Sequence, residues 1–121
     1  MRYVFGLYLG TVLLAASAHA AGPFDGSWTG EVSSATMGRG AVCPAAVLKA
    51  TVTDGKMTGH YSDGKYTFTF TGTVQPDGTL TGGLLGSSNP VTGKFTQNQF
   101  AASYVSTGCE GKSRQMTMHR G

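Results

Sequence analysis

The stretch YTFTFTGTV, from Tyr66 to Val74, decides the fold class of this chain. Apolar residues alternate in it with threonines, so an extended strand places Tyr66, Phe68 and Phe70 on one face and the threonines on the other. The same alternation recurs along the chain, and no window shows the apolar spacing of an amphipathic helix. The sequence therefore predicts an all-β protein, with the aromatic face of this strand in the core.

Eight strands are predicted, separated by short turns. They cover residues 26–33, 46–53, 56–61, 65–74, 79–85, 90–96, 99–106 and 112–120. Asp-Gly pairs mark three turns, beginning at Asp54, Asp63 and Asp77. Because Asp-Gly tolerates the positive φ angles of type I′ turns, each pair predicts a hairpin. The expected architecture is an antiparallel up-and-down meander of about eight strands.

Cys43 and Cys109 are the only cysteines. An even count in an exported chain predicts a disulfide, which closes a loop of roughly 65 residues and contributes on the order of 4 kcal/mol. A metal or redox role is the alternative. In a meander of eight strands the first and last loops lie at the same end, and the first and last strands meet when the sheet closes. The bond predicts a closed or nearly closed small barrel stapled at its seam, although an open, curled sheet would also permit it.

The phase of the strands predicts which residues face inward. The expected inward set is Trp28, Val32, Leu48, Val52, Met57, Tyr61, Tyr66, Phe68, Phe70, Val74, Leu80, Leu84, Val91, Phe95, Phe100, Tyr104, Met116 and Met118. Five glycines fall in the same phase, namely Gly30, Gly59, Gly72, Gly82 and Gly93. Because glycine has no side chain, these positions are expected to leave space for one small ligand inside the barrel.

Residues 1–20 have the features of an export signal. Arg2 precedes an apolar run from Val4 to Ala16, and Ala18-His19-Ala20 is a small-x-small cleavage site. Cleavage is expected after Ala20, with Ala18 as the second choice. The apolar run is too short for a membrane span. Residues 21–121 then form a single domain, which we expect to be a monomer in the periplasm or outside the cell.

Charge and motif content narrow the classes of function. Without Arg2, eight basic residues face six acidic ones, scattered singly along the chain. This distribution gives no basic stripe for nucleic acid and no polybasic surface for a membrane. His60 and His119 have no carboxylate or nucleophile at a meaningful spacing, and no metal-ligand or phosphate-loop spacing occurs. We therefore expect a protein that is not an enzyme and that uses no cofactor or metal.

Two resemblances follow from short motifs. Gly26-Ser27-Trp28 resembles the G-x-W that opens the first strand in the calycin superfamily of lipocalins, avidins and bacterial metalloprotease inhibitors. That resemblance implies a ligand-binding or inhibitory barrel in which a basic residue of the last strand, Arg114 or Arg120, packs across Trp28. The mature chain is also similar to small exported bacterial proteins with repeated D-G-x-x-x-G units and a terminal C-x-G segment, here residues 109–111. This second resemblance implies no activity.

The main functional expectation is a binding protein that accepts a small apolar or amphipathic ligand at the barrel mouth. The candidate ligand-binding residues are Trp28, Arg39, Tyr66, Phe68, Tyr104 and Arg114. The alternative is an inhibitor or other partner of an exported hydrolase, acting through residues 21–24 or through the glycine-bearing loop 34–44. The threonine row of residues 67–73 allows a more remote alternative, an ice-contacting array, against its simpler role as the solvent side of a strand.

Overall fold

The computed structural model describes residues 22–38 and 40–121, and its regular structure there is almost entirely β. The strands are β1 (Gly26–Val32), β2 (Ala35–Thr36), β3 (Val42–Cys43), β4 (Ala46–Thr53), β5 (Lys56–Ser62), β6 (Thr67–Val74), β7 (Thr79–Leu85), β8 (Asn89–Thr96), β9 (Gln99–Ser106) and β10 (Lys112–Arg120). A single turn of 3₁₀ helix, Thr107–Cys109, follows β9. The predicted export signal and Arg39 lie outside the described residues. Within the described ranges, no helix has the length and apolar character needed to cross a membrane.

Eight of the strands form a closed antiparallel barrel, as predicted. Going round it, the order is β9, β10, β1, β4, β5, β6, β7 and β8, and β8 pairs again with β9. The first and last strands close the seam, where Val32 lies opposite Met116. The predicted strand limits differ most at β6, which begins at Thr67 because the preceding residues belong to a turn. The small hairpin of β2 and β3 was not predicted, since two-residue strands carry no readable alternation.

The predicted disulfide is present between Cys43 and Cys109, whose Cα atoms are 6.1 Å apart. Cys43 lies in β3, between barrel strands β1 and β4, and Cys109 lies in the loop before β10. The strand-parity argument is therefore confirmed, because these two connections meet at one end of the barrel. The bond joins the segments that flank the seam, where no hairpin turn connects the chain.

All three Asp-Gly pairs form hairpin turns, but only one has positive φ at both residues. Asp54 and Gly55 have φ of 57° and 78°, as a type I′ turn requires. At the other two turns only the glycine is left-handed, and the aspartate instead accepts backbone hydrogen bonds. Asp63 accepts from the N–H of Lys65 and Tyr66, and Asp77 from that of Thr79. The same dipeptide thus serves one tight turn and two longer ones.

The barrel interior is filled with large side chains. Trp28, Phe70, Phe95, Phe100 and Met116 have no exposed surface. The expectation that inward glycines leave ligand space is wrong, because the neighbouring strand occupies that space. A Cβ atom at Gly30 would overlap the carbonyl of Thr117, and one at Gly59 would lie 2.5 Å from the carbonyl oxygen of Lys49. Gly30 and Gly59 therefore allow close approach of neighbouring strands and leave no empty space in the interior.

Two inward assignments in β7 are wrong because of a β-bulge. The pairing register of β7 with β8 shifts between Leu80 and Gly83, and Gly82 has φ of 62°. The extra residue reverses the phase, so Leu85 is buried and Leu84 is only partly so. Gly83, rather than Gly82, occupies the inward position beyond the bulge. Simple alternation cannot reveal this shift.

The threonines of β6 lie on the outer surface, as predicted. Thr67, Thr69, Thr71 and Thr73 are all exposed. Thr71 continues a cross-strand row, because it pairs with Thr58, which in turn pairs with Thr51. The row runs around a closed barrel, so these hydroxyl groups follow a curved surface.

Candidate functional site

The two ends of the barrel differ in how they are covered. One end, the mouth, carries the connections 33–45, 63–66, 86–88 and 107–111. The other end, the base, carries residues 22–25 and the turns 54–55, 75–78 and 97–98. The disulfide lies at the mouth. We call the connection 33–45 the arm.

An open cavity of about 480 Å³ lies at the mouth. It is bounded by the arm, the β5–β6 hairpin and the chain around the disulfide. Its apolar lining is Met37, Val42, Pro44, Tyr61, Tyr66 and Phe68, and its charged and hydroxyl lining is Asp63, Lys65, Ser106 and Arg114. This volume falls in the range of small-molecule sites, which usually combine apolar walls with a few polar groups.

Tyr66 and Phe68 form one rim of the mouth cavity. Phe68 is on the inward face, since it pairs with Tyr61 and their ring centroids are 5.6 Å apart. The Tyr66 ring stacks on Phe68 at 6.2 Å, and Lys65 Nζ lies 5.5 Å from the Tyr66 centroid. The expectation that both rings are core residues is wrong, because Tyr66 is 55% exposed and Phe68 42%. Both rings lie at the mouth end of the barrel, past the residues that are packed on all sides.

The turn before β6 fixes the position of this rim. Asp63 Oδ1 accepts hydrogen bonds from Lys65 N at 2.9 Å and Tyr66 N at 2.7 Å. The hydrogen bond from Tyr66 N lowers the pKa of the Asp63 carboxyl group most, and the bond from Lys65 N lowers it less. The positive charge of Arg114 lowers this pKa further. The carboxylate therefore remains charged at neutral pH and holds the chain that presents Tyr66.

Arg114 lies at the floor of the mouth cavity and is only 3% exposed. Its Nη2 donates to the carbonyls of Ser33 at 2.9 Å and Pro44 at 2.6 Å, and its Nε donates to Ser33 at 3.2 Å. Nη1 lies 3.4 Å from the hydroxyl of Tyr61. The guanidinium thus binds both stems of the arm, and no carboxylate of the described residues accepts a hydrogen bond from it.

Tyr104 lies beside Arg114 in the wall of the barrel, opposite it in the β9–β10 pairing. Burial raises the pKa of Tyr104 to about 12, although the positive charge of Arg114 acts in the opposite direction. Its ring is 5% exposed and belongs to the core. Tyr104 is therefore next to the floor of the mouth cavity but is not part of its lining.

Three groups hold the arm in position: the disulfide, Arg114 and Glu110. The disulfide joins Cys43 to Cys109, and Arg114 binds the carbonyls at its two stems. Near the tip, Gly38 N donates to Glu110 Oε1 at 2.9 Å. The candidate residue Arg39 is next to this contact in sequence but lies outside the described residues. Met37 and Val42 of the arm line the mouth cavity.

Trp28, another candidate ligand-binding residue, lies at the base. It is fully buried, packs edge-on against Phe95 at 4.8 Å, and donates from Nε1 to the carbonyl of Phe24 at 2.9 Å. Arg120 covers it, with Cζ 4.6 Å from the ring centroid. Of the two arginines expected to pack on this ring, Arg120 therefore does so. Tyr66, Phe68 and Arg114 meet at the mouth, while Trp28 does not join them.

Residues 22–25 form part of the base. Arg120 donates to the carbonyls of Asp25 at 2.8 Å, Pro23 at 3.0 Å and Gln97 at 2.9 Å. The ring of Phe24 packs against Phe95 at 5.8 Å. A crevice of about 270 Å³ remains between this segment and the neighbouring turns. Pro23 and Phe24 are thus held against the barrel.

The structure adds residues to the mouth that the sequence did not single out. Tyr61 was assigned to the core and Asp63 only to a turn, yet both line the cavity with Arg114. The turn signal at Asp63 could have placed its neighbours at a barrel end, because hairpin turns lie there. His60 and His119 are exposed, and the described residues contain no group of three or more His, Cys, Asp or Glu placed to hold a metal ion.

Comparisons of the chain with protein-family models, with curated proteins and with solved structures find no match. In the part of the chain that the structure describes, fold and site define a small, disulfide-stapled, closed eight-stranded antiparallel β-barrel with a cavity at its mouth. This architecture is compatible with a calycin-like barrel.

Proposed function

We propose that this chain is an exported, non-enzymatic binding protein that holds a small amphipathic ligand in its mouth cavity. The observation that carries the proposal is the rim of the cavity, where Tyr66 and Phe68 expose 55% and 42% of their surface above an otherwise well-packed barrel. Exposed aromatic rings beside a concave site are typical of surfaces that a ligand covers. The export signal of residues 1–20 and the disulfide support a periplasmic or secreted location.

Calycin-like binding at a barrel mouth agrees with the division of the molecule into two ends. At the base, Phe24 and Arg120 cover Trp28, so that end is occupied by the protein itself. At the mouth, apolar side chains from the arm and from the β5–β6 hairpin face a shared space. A ligand of modest size would bury these side chains without any rearrangement of the core.

The proposal is tested by dye binding to the mature, oxidised protein. The neutral probe N-phenylnaphthylamine becomes fluorescent in apolar sites, and we expect binding that weakens at least about tenfold in a Tyr66→Ala, Phe68→Ala double variant. Val105→Ala is the matched control, because Val105 is 57% exposed but does not line the mouth cavity. Equal binding by all three proteins would overturn the assignment of the mouth. Native mass spectrometry of protein isolated from its host would weigh any retained ligand.

A second candidate function is supported by the arm, which a disulfide, Arg114 and Glu110 hold in place. A rigid segment loses little conformational entropy on docking, as an inhibitor of an exported hydrolase requires. The other proposed inhibitory segment, residues 21–24, is the weaker choice, because Pro23 and Phe24 pack on the base. A pull-down of exported hydrolases separates the two segments. Capture should fail when residues 36–41 are replaced by a Gly-Ser linker and survive deletion of residues 21–24; the reverse result would exclude the arm.

A further inference from the structure

The buried polar and charged residues of the barrel lie together at the mouth cavity. Among the described residues, the buried core is apolar except for Ser106 and Arg114, which are 9% and 3% exposed. Both line the mouth cavity. The hydroxyl group of Tyr61 also lies in this cavity, 3.4 Å from Arg114 Nη1. The mouth cavity thus has an apolar rim and a polar floor. A site that buries the apolar end of its ligand would instead have an apolar floor.

The charge at this floor is positive, and among the described residues no carboxylate accepts a hydrogen bond from it. A buried cation is normally paired with a carboxylate, because removing it from water is costly. Arg114 instead relies on the carbonyl groups of Ser33 and Pro44. Nη1 carries two N–H groups; its direct hydrogen bond in the described residues is the long one to Tyr61, and the Tyr104 hydroxyl also interacts with the guanidinium. The guanidinium therefore has donor capacity left for a ligand.

The two acidic residues around the mouth, Asp63 and Glu110, accept hydrogen bonds from backbone N–H groups and not from Arg114. Asp63 also lines the cavity, but its carboxylate accepts the backbone N–H groups of the turn before β6. Glu110 accepts the N–H of Gly38 in the arm. Lys65 adds a second positive charge to the lining, so Arg114 and Lys65 together outweigh Asp63. The lining carries a net positive charge and favours an anion.

We infer that the ligand is a small aromatic carboxylate and that it enters charge first, with its carboxylate at Arg114 and Tyr61 and its ring against Tyr66 and Phe68. This inference rests on the proposed function and adds the charge and orientation of the ligand. A carboxylate accepts charge-assisted hydrogen bonds from a guanidinium and from a phenol, which are stronger than neutral ones. The stacked pair of Tyr66 and Phe68 offers an exposed aromatic surface at the rim of the same cavity.

Three probes of equal shape test the inference without any substitution: naphthoate, the neutral naphthamide and the cationic naphthylmethylamine. Isothermal titration calorimetry of the oxidised mature protein should give naphthoate at least about tenfold tighter binding than naphthamide, and the amine the weakest. If naphthamide binds as well as naphthoate, the anionic ligand is excluded while the proposed function stands. If none of the three binds, both are overturned.

Matched tyrosine variants locate the charge. Tyr61→Phe removes the floor hydroxyl, and we expect it to weaken naphthoate about threefold to tenfold and naphthamide by less, because a neutral amide accepts a weaker hydrogen bond than a carboxylate. Tyr66→Phe removes a hydroxyl at the rim and should leave the ratio of the two affinities unchanged. Arg114→Lys keeps a cation but loses contacts to the arm, so its folding is checked by circular dichroism before use. Intermolecular nuclear Overhauser contacts from the naphthoate ring should reach Tyr66 and Phe68. Contacts to Tyr61 alone, or an unchanged ratio in Tyr61→Phe, would overturn the orientation.

Discussion

The base and the mouth of this barrel differ in how far their apolar side chains are covered. At the base, the end of the barrel is closed by the chain itself: Phe24 packs on the core and Arg120 covers Trp28. At the mouth, a disulfide and Arg114 hold the arm at the side, and Phe68 remains 42% exposed. A covered end contributes stability, whereas the open end leaves exposed the surface at which we propose that a ligand binds. The difference in exposure indicates that the apolar residues of the base serve the stability of the fold, whereas the exposed rings of the mouth contribute less to it.

The largest stability effect is expected at the base, from Trp28→Ala. The change removes a fully buried ring together with its contacts to Phe95, Arg120 and the carbonyl of Phe24. Large-to-small changes of a buried aromatic cost roughly 3–5 kcal/mol, and we expect the upper part of that range. Urea unfolding followed by circular dichroism measures the loss. Trp28→Phe is the control, and a loss below about 1 kcal/mol for Trp28→Ala would show that the base is not a structural plug.

Removal of the disulfide is the largest expected effect at the mouth. Cys43 and Cys109 are separated by 66 residues, and the chain-entropy estimate for a loop of that size is about 4 kcal/mol. The Cys43→Ser, Cys109→Ser variant should lose stability by that order in denaturant melts, as should the natural protein in the presence of reductant. Amide exchange should show that the arm loses protection first. Equal stability of oxidised and reduced protein would mean that Arg114 and the strand pairs alone hold the seam.

An alkaline destabilisation is expected from Tyr104, the buried residue beside the floor of the mouth cavity. The pKa of Tyr104 is raised to about 12 from its ordinary 10.0 because the ring is buried. The folded protein therefore retains a proton that the unfolded chain releases, so this contribution is complete below pH 10.0 and is lost as the pH rises toward about 12. Ultraviolet titration of tyrosinate follows it, and Tyr104→Phe should remove the late-titrating group. A Tyr104 pKa near 10.0 in the folded protein would contradict the burial of this floor.

The smallest expected effect on stability is that of Phe68→Ala. Because the ring is 42% exposed and packs on the rings of Tyr61 and Tyr66 at the rim, its loss should cost about 1 kcal/mol or less. The same urea experiment that measures Trp28→Ala makes this comparison direct. A Phe68→Ala cost comparable with that of Trp28→Ala would remove the distinction between a structural end and a binding end.

The fold was readable from the sequence because its main signals are local. Alternation within strands and the Asp-Gly turns predicted all eight barrel strands, and strand parity predicted which loops the cysteines would join. Two features escaped because they depend on neighbouring strands. The bulge at Gly82 changes which leucine faces inward, and the inward glycines admit a neighbouring backbone rather than empty space.

The candidate site was predicted in part. Tyr66, Phe68 and Arg114 do meet at the mouth, since strand phase and parity place them at one end. Their exposure was not predicted, because alternation gives the face of a strand but not how far a residue lies from the end of the packed interior. For the same reason Trp28 was assigned to the wrong end: an inward-facing residue can belong to either end of the barrel.

Closure of the sheet also determines how another protein chain can bind. Every strand of the barrel has a hydrogen-bonded neighbour on both sides, so its backbone N–H and C=O groups offer no edge to which a further strand can be added. Within the described residues, β2 and β3 pair only with each other. A partner that recognises backbone rather than side chains is therefore directed to the outer edges of this short hairpin, beside the disulfide and the mouth.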